Sequence, residues 1–319
     1  MIITRNLQPA TRNNVIMETG TSFNSKFLLF GEYGLMFGAM ALAAPFPVFS
    51  GQLAYDTEGQ HKESTDEIQK LVTYLKTKGP DQNLHFPLDL DQLESDLKEG
   101  LYFSSNIPQQ YGLGSSGALV AALFSKYAFP AEMGSNLSPE ILKANFSLLE
   151  SFFHGRSSGL DPLISYLNKP LQIDAQKQIV PVDFDYSETG IAMALIDTHT
   201  TGATGPLVQH FIDLFNLPEF EQAFLNQFVP ANNGCIDSLL RGDQTSFFLN
   251  LEQLVRFEVY HFHEMIPVGF HRIISHALCS KVYIKLLGSG GGGFLLAMAS
   301  DVASLEKIGN KYNLSMTRI

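Results

Sequence analysis

The amino-acid sequence predicts an α+β fold. This prediction rests on the length of the chain, its apolar content and the alternation of short strands with helices along its second half. The chain has 319 residues, of which 45% are apolar and 17% charged, so it can bury the core of one large or two ordinary domains. Short units of alternating type are typical of an α+β sandwich. We place the boundary between two domains near residues 186–190.

Apolar patterns define the elements of the first half. Lys26–Phe30, with the sequence KFLLF, is a short apolar run that ends at a glycine and indicates a buried strand. Residues 41–52 indicate a second strand, and the polar stretch 58–67 indicates a mobile loop. After that loop we expect a helix with one apolar face, because apolar residues recur at helical spacing. They are Ile68, Leu71, Val72 and Leu75.

The middle of the chain predicts two helices. The first covers residues 116–128. The second begins after Ser138, a capping serine followed by proline at the first helical position, and should run to about Phe153 and stop at Gly155. We expect Glu150 to point away from the apolar face of this helix. That face is expected to contain Ile141, Asn145, Leu148 and Phe152.

The second half contributes the alternating units. The expected strands cover residues 190–198, 281–287 and 294–299, and the expected helices cover residues 206–215 and 247–260. The first of these helices has an apolar side made of Leu207, Val208, Phe211 and Leu214. A run of glycines at 288–293 joins the last two strands.

The charge and hydropathy of the chain exclude several classes of protein. The net charge is -11, from 32 acidic and 21 basic residues, which argues against a nucleic-acid surface because such a surface needs a basic face. The most apolar stretch, Gly34–Phe49, is interrupted by two prolines and falls short of the roughly 18 residues of a membrane span. The N-terminus lacks the apolar core of a signal peptide. We therefore expect a cytoplasmic protein with no membrane partner.

The cysteines and histidines give no sign of a metal centre. Cys235 and Cys279 lack metal-ligand spacing, and we expect both to be reduced thiols. His261 and His263 stand one residue apart, outside the spacings that bind zinc, and we interpret them as structural or exposed residues.

Two glycine-rich segments, Gly112–Gly117 and Gly288–Gly293, fit the pattern G-x-G-x-x-G. A dinucleotide site needs this pattern directly after a strand near the start of a βαβ unit, and neither segment meets that condition. A Walker A loop is excluded because Ala118 follows Gly117 where lysine is required. A glycine loop at the start of a helix instead indicates an anion site, since its backbone N–H groups and the helix dipole attract phosphate. The alternative is a tight turn that binds no ligand.

The first segment resembles the signature of the GHMP small-molecule kinases, P-x-x-x-G-L-G-S-S-A-A. Two other segments match further motifs of this family in the expected order. KFLLFGEYGLMFGAMALA (26–43) resembles K-x-x-L-x-G-E-H-x-V-x-x-G…A-L-A, and KLLGSGGGG (285–293) resembles K-x-T-G-A-G-G-G-G. The resemblance implies that ATP is held by Pro108, Gly112, Leu113, Gly114, Ser115, Ser116, Gly117, Gly288, Ser289, Gly290 and Gly291.

A fourth segment, ESFFHGRSSGLDPLISY (150–166), resembles the mevalonate-kinase branch of this family, E-x-x-x-H-G-x-P-S-G-x-D. The resemblance implies that Asp161 faces the substrate hydroxyl with Lys26 beside it, and that Ser116 and Glu150 hold Mg²⁺. These residue types suit phosphoryl transfer, which depends on positioning and on neutralising the charge of the transferred group. The residues expected at the substrate are Glu32, Tyr33, Arg156 and Thr204.

Departures from the motifs leave the substrate open between two branches. Tyr33 replaces a histidine that contacts substrate in mevalonate kinases, and Leu287 replaces a threonine near the phosphates. Asn24-Ser25 stands where the family has Pro-Gly. Gly117 replaces an alanine, as in some phosphomevalonate kinases, whereas the segment around Asp161 favours mevalonate kinases.

The resemblance implies a two-domain GHMP kinase fold with a ribosomal S5-like domain at 1–187 and a ferredoxin-like domain at 188–319. The implied activity is ATP- and Mg²⁺-dependent phosphorylation of the hydroxyl of a small hydroxy acid, with mevalonate as the expected substrate. Phosphomevalonate kinase and diphosphomevalonate decarboxylase are the alternatives within the family. A nucleotide-binding sensor without catalysis is the alternative from another class. We expect a monomer or a homodimer.

Overall fold

The structure is a computed structural model that describes residues 17–56, 58–78, 86–128, 138–202 and 204–319. It contains two antiparallel sheets with helices packed against them. The first sheet runs in the order β1-β2-β4-β5. Strand β4 pairs with residues 41–43 of β2, and β3 pairs with residues 51–55 of the same strand. Its strands are β1 (Met17–Phe30), β2 (Ala41–Tyr55), β3 (Leu101–Ser105), β4 (Leu171–Ile173) and β5 (Ile179–Pro181).

Within the described part of the first half, five α-helices accompany the first sheet. They are α1 (Lys62–Lys78), α2 (Leu90–Lys98), α3 (Ser115–Tyr127), α4 (Pro139–His154) and α5 (Leu160–Leu167). Helix α3 is apolar on nearly all sides because it packs against β1, β2, α4 and α5 at once. This central helix begins at the first glycine segment, so the packing of the core fixes the position of that segment.

The expected loop at 58–67 was wrong in its second half, because α1 already begins at Lys62. The polar residues of this stretch form the exposed first turns of the helix, which apolar periodicity cannot detect. Asp56 organises the turn before it, since its carboxylate accepts hydrogen bonds from the N–H groups of Glu58, Gly59 and His61.

Helix α4 has the expected ends but not the expected face. Ser138 caps its first turn by accepting from the N–H of Ile141, and Gly155 ends it in a left-handed conformation with φ 70°. Ile141 is exposed, and Glu150 is buried instead of pointing outward. The buried side is displaced by one position along the helix and consists of Leu142, Asn145, Phe146, Leu149 and Glu150.

The second sheet has the strand order β7-β8-β6-β9. Its strands are β6 (Ala192–Asp197), β7 (Tyr283–Leu286), β8 (Phe294–Ala299) and β9 (Ser315–Arg318). Its helices are α6 (Thr204–Phe215), α7 (Pro218–Ala223), α8 (Val229–Leu240), α9 (Gln244–His261), α10 (Phe270–Cys279) and α11 (Val302–Tyr312), with a π-helical segment at Phe224–Phe228. A strand, a group of helices, two strands, a helix and a strand follow one another, which is the order of a ferredoxin-like unit. The predicted division between residues 187 and 188 falls in the segment between the two sheets and stays a prediction.

A cluster of phenylalanine rings fills the space between the helices of the second half. Its rings lie at typical aromatic packing distances, for example 5.2 Å between Phe211 and Phe224 and 4.7 Å between Phe224 and Phe228. We call this group the phenylalanine cluster: Phe211, Phe215, Phe220, Phe224, Phe228, Phe257 and Phe262. No helix in the described part of the chain is both long and apolar enough to span a membrane.

Candidate active site

Strand β1 places Lys26 next to Asp161. The Lys26 ammonium lies 3.0 Å from Oδ2 of Asp161, and the two side chains are 12% and 33% exposed. The backbone N–H of Lys26 donates to the carbonyl of Leu113 at 3.0 Å. The strand therefore holds both the ion pair and the first glycine segment, which brings two of the sequence motifs to one point.

The first glycine segment leads directly into α3. Gly114 caps this helix in a left-handed conformation with φ 73°, and a Cβ there would lie 3.0 Å from Cγ of Lys26. Glycine therefore lets the loop approach the ion pair closely. Ser115 and Ser116 form the first helical turn, where backbone N–H groups and the positive end of the helix dipole favour an anion.

The absence of a side chain at Gly117 allows α3 and α5 to pack closely. A Cβ at this position would lie 2.8 Å from the carbonyl carbon of Asp161 and 2.8 Å from the nitrogen of Pro162. These are backbone atoms in the first turn of α5, so no side chain can move aside to make room. The glycine that departs from the family pattern is thus in direct contact with the backbone of Asp161.

Helix α4 adds a buried carboxylate to the site. Glu150 is 3% exposed, and its Oε1 accepts a hydrogen bond of 3.2 Å from Oγ of Ser116. Burial, together with the charge of Asp161, raises the pKa of Glu150 from 4.5 to about 7, against the opposing effects of Ser157, Lys26 and Ser116. A nearby cation would therefore stabilise the charged form of this carboxylate.

Two residues near Glu150 received no role from the sequence. Nε2 of His154 lies 2.9 Å from Oγ of Ser116, and the hydroxyl of Ser157 donates to Oε2 of Glu150. His154 could have been found from its spacing, since it stands four residues after Glu150 on the same helix. Ser157 stands where the family pattern has proline. That departure could have indicated that a hydroxyl lies near Glu150.

The second glycine segment, 288–293, lies against the first. A Cβ at Gly293 would be 3.1 Å from Cα of Tyr111, which immediately precedes the first segment. The N–H of Gly293 donates to the carbonyl of Thr200 at 2.6 Å, and its carbonyl accepts from the hydroxyl of Thr198 at 2.7 Å. The N–H of Gly291 donates to the carbonyl of Met265. The two glycine segments therefore form adjoining parts of one surface.

Glu32 lies in the contact between the two halves of the chain, close to the backbone N–H of Gly288 at the start of the second glycine segment. It is 2% exposed and forms an ion pair with Lys285, which is completely buried. Glu258 lies in the same pocket and accepts from the N–H of Leu286 at 2.9 Å. Burial raises the pKa of Glu32, and it raises the pKa of Glu258 to about 8, although Lys285 opposes both shifts.

The other residues expected at the substrate are placed differently from one another. Tyr33 is 8% exposed and also lies in the contact between the two halves. Arg156 is exposed in the loop between α4 and α5. The side chain of Thr204 lies outside the described part of the chain. Pro108, which was expected to bind ATP, is half-buried ahead of the first glycine segment. The roles expected for these residues stay predictions.

Comparison with known proteins finds similarities to one family of kinases. A family model described as the GHMP kinases N terminal domain matches residues 83–169. A mevalonate kinase of Pyrococcus horikoshii is 25% identical over 311 residues, covering 89% of this chain and 90% of that protein. The chain is therefore similar to GHMP kinases over residues 83–169 and to mevalonate kinases over about nine-tenths of its length. Members of the GHMP kinase family use ATP as the phosphate donor.

Solved structures of GHMP kinases share the fold along the whole chain. The structure of L. major mevalonate kinase in complex with R-mevalonate matches with a TM-score of 0.65 at 18% identity, covering 94% of this chain and 95% of that one. A phosphomevalonate kinase of Streptococcus pneumoniae matches with a TM-score of 0.61 at 15% identity, covering 94% and 98%. The predicted α+β GHMP kinase fold is confirmed by these similarities.

Proposed function

We propose that the protein is a GHMP kinase that transfers the γ-phosphoryl group of ATP to the hydroxyl of mevalonate. The observation that carries the proposal is the Lys26–Asp161 ion pair at 3.0 Å, located where the first glycine segment starts α3. The similarity to mevalonate kinases over about nine-tenths of both chains supports the choice of substrate.

Asp161 is the group proposed to act on the substrate hydroxyl. Its carboxylate would accept the hydroxyl proton while the substrate oxygen forms a bond to the γ-phosphorus and the bond from that phosphorus to the ADP oxygen breaks. Lys26 would orient the Asp161 carboxylate through their ion pair and offset the negative charge of the transferred group. Partial exposure of Asp161 leaves its carboxylate accessible to a substrate.

The residues around Glu150 suit a magnesium ion. The described residues contain no group of three or more histidine, cysteine or acidic side chains that could bind a metal alone. Mg²⁺ is commonly held by one or two carboxylates together with phosphates and water, so the buried Glu150 and the adjacent Ser116 hydroxyl form a fitting partial set. Bound there, the ion would supply positive charge to the phosphates of ATP.

The two glycine segments are proposed to bind the phosphates. Backbone N–H groups and the dipole of α3 offer positive potential without any lysine in the loop. Phosphate binding would explain why glycines are concentrated at 112–117 and 288–293.

Phosphomevalonate is the second candidate substrate. Gly117 favours it, because some phosphomevalonate kinases have glycine at this position. The similarity of the chain to the Streptococcus pneumoniae enzyme shows the common fold and does not separate the two substrates.

The test is ADP release with Mg²⁺ and ATP on mevalonate and on phosphomevalonate, measured side by side. Turnover on mevalonate alone would support the proposal, turnover on phosphomevalonate alone would favour the second candidate, and ATP binding without turnover on either would favour a sensor. Asp161→Asn should keep ATP binding and lower kcat by about 10²- to 10⁴-fold, the usual contribution of a general base. Asp66→Asn, on the exposed side of α1, is the matched control and should turn over normally. An Asp161→Asn protein with near-normal kcat would remove Asp161 from the proposed role.

A further inference from the structure

Tyr33 adopts an unusual conformation at the contact between the two halves of the chain. Its φ of 57° lies in the left-handed region, which bulky side chains rarely adopt. The residue is only 8% exposed. A strained residue of this kind persists only where the surrounding structure holds it in place.

Each end of the Tyr33 side chain contacts the second half of the chain. The hydroxyl donates to the carbonyl of Ser289 in the second glycine segment at 2.6 Å. The ring stacks on Phe211 of α6, with ring centroids 4.4 Å apart and planes 13° apart. Burial raises the pKa of Tyr33, so the hydroxyl remains a proton donor.

Both of these contacts connect Tyr33 with elements that lie at or near the second glycine segment. Phe211 belongs to α6, and the loop before α6 holds Gly293 through the Thr198 hydroxyl and the Thr200 carbonyl. Ser289 belongs to the second glycine segment itself. Tyr33 therefore contacts the second glycine segment directly and packs on α6, the helix that follows the loop holding Gly293.

We propose that Tyr33 is a positioning residue, which fixes the second glycine segment at the right distance from the first. Its hydroxyl is engaged by the Ser289 carbonyl and its ring is covered by Phe211, so it serves the site through the loop and not by contact with substrate. The neighbouring Glu32 pairs with Lys285 and lies close to the Gly288 backbone at the start of the segment, and the Tyr33 hydroxyl binds the next residue, Ser289.

The test compares Tyr33→Phe with Tyr127→Phe. The first change removes only the hydroxyl and keeps the ring that stacks on Phe211. Tyr127 is the matched control, because it is a buried tyrosine whose hydroxyl donates to Asp96 at 2.6 Å outside the site. Hydrogen exchange of the amides at 286–293 is measured in the free protein, and the dissociation constant of ATP is measured with Mg²⁺ and without an acceptor substrate.

We expect Tyr33→Phe to speed exchange at Gly291 and Gly293 and to weaken ATP binding, each by about fivefold, as the loss of one buried hydrogen bond predicts. Tyr127→Phe should change neither quantity. Unchanged exchange at the loop in Tyr33→Phe would overturn the proposal, as would a protein that no longer folds, since the hydroxyl would then support the core as a whole.

The phosphate-binding part of this inference rests on the proposed function, and the experiment separates the two. Faster exchange with unchanged ATP affinity would confirm that Tyr33 positions the loop and would remove residues 288–293 from the nucleotide site. Failure of the wild-type protein to phosphorylate mevalonate would leave the exchange result intact, because that measurement uses no substrate.

Discussion

Replacing Glu150 with glutamine should stabilise the protein at alkaline pH in the absence of nucleotide and metal. Burial and the neighbouring Asp161 raise the pKa of this carboxyl to about 7 in the folded protein, from an ordinary value of 4.5. Between these two values the folded chain keeps a proton that the unfolded chain has released. The free energy of unfolding therefore falls as the pH rises through this interval, and glutamine, which cannot ionise, avoids that loss.

The two pKa values set the size of the effect. Each unit by which the pKa differs between the folded and unfolded states corresponds to about 1.4 kcal/mol. Complete ionisation of Glu150 therefore costs the folded protein up to about 3 kcal/mol. A glutamine side chain at this position can keep both contacts, because its amide oxygen accepts from one of the two hydroxyls, Ser116 or Ser157, and its NH2 group donates to the other. We expect Glu150→Gln to be more stable than the wild-type protein by about 1–3 kcal/mol at pH 8, with the advantage gone below about pH 4.5.

Urea unfolding of both proteins in the presence of a chelator, at several pH values from 4.5 to 8, measures this difference. The other buried carboxyl groups of the described residues, Glu32, Asp96 and Glu258, are common to both proteins, so their contributions cancel in the comparison. Glu306→Gln, on the exposed side of α11, is the matched control and should show no pH-dependent gain. A stability difference between Glu150→Gln and wild type that is the same at pH 5 and pH 8 would refute the reasoning.

The remaining predictions concern the domain contact and the packing of α3. Lys285→Met leaves Glu32 and Glu258 buried without their cation and should lower the free energy of unfolding by about 3–5 kcal/mol. Lys281→Met, which removes an exposed ion pair, should cost less than about 1 kcal/mol in the same urea titration, and equal losses would contradict the assignment. Gly117→Ala places a Cβ 2.8 Å from backbone atoms of Asp161 and Pro162 and should lower kcat by about 10- to 100-fold with smaller effects on ATP affinity. A kcat within twofold of the wild-type value would show that α5 moves without consequence for the reaction.

Local chemistry made some elements predictable from the sequence. The ends of α4 were predicted from a capping serine, a proline and a glycine, which act within a few residues of one another. Strand β8 has the predicted bounds of residues 294–299, because a buried strand is apolar at every position. The start of α3 followed from the glycines and serines that precede its apolar run.

The faces of elements were harder to predict, because distant parts of the chain decide them. The apolar residues of α4 allow more than one buried face, and the packing of α3 and α5 selects the one that includes Glu150. Nothing within the helix indicates that a carboxylate belongs on that side. The groups that favour its charged form include Lys26 and Ser116, which lie in two other elements.

Motif resemblance has a related limit, since it gives the position of a residue in the chain and not the direction of its side chain. Glu32 and Tyr33 stand in a motif that suggested substrate contacts, yet their side chains meet Lys285, Ser289 and Phe211 across the contact between the two halves. Lys26 stands in the same motif and does lie beside Asp161. One short segment thus supplies Lys26, which pairs with Asp161 in the site. The same segment supplies Glu32 and Tyr33, which contact the second half of the chain.

The departure at Gly117 shows how structure can give a sequence difference a physical meaning. As a sequence feature it only favoured one branch of the family over another. In the structure its missing Cβ lets α3 approach the first turn of α5 to a distance that alanine would not allow. Because Asp161 lies in that turn and Ser116 precedes Gly117 directly, a side chain at this position would shift the proposed base relative to the proposed metal ligand. The packing of α3 against α5, and not only the motif residues themselves, therefore sets the geometry on which the proposed reaction depends.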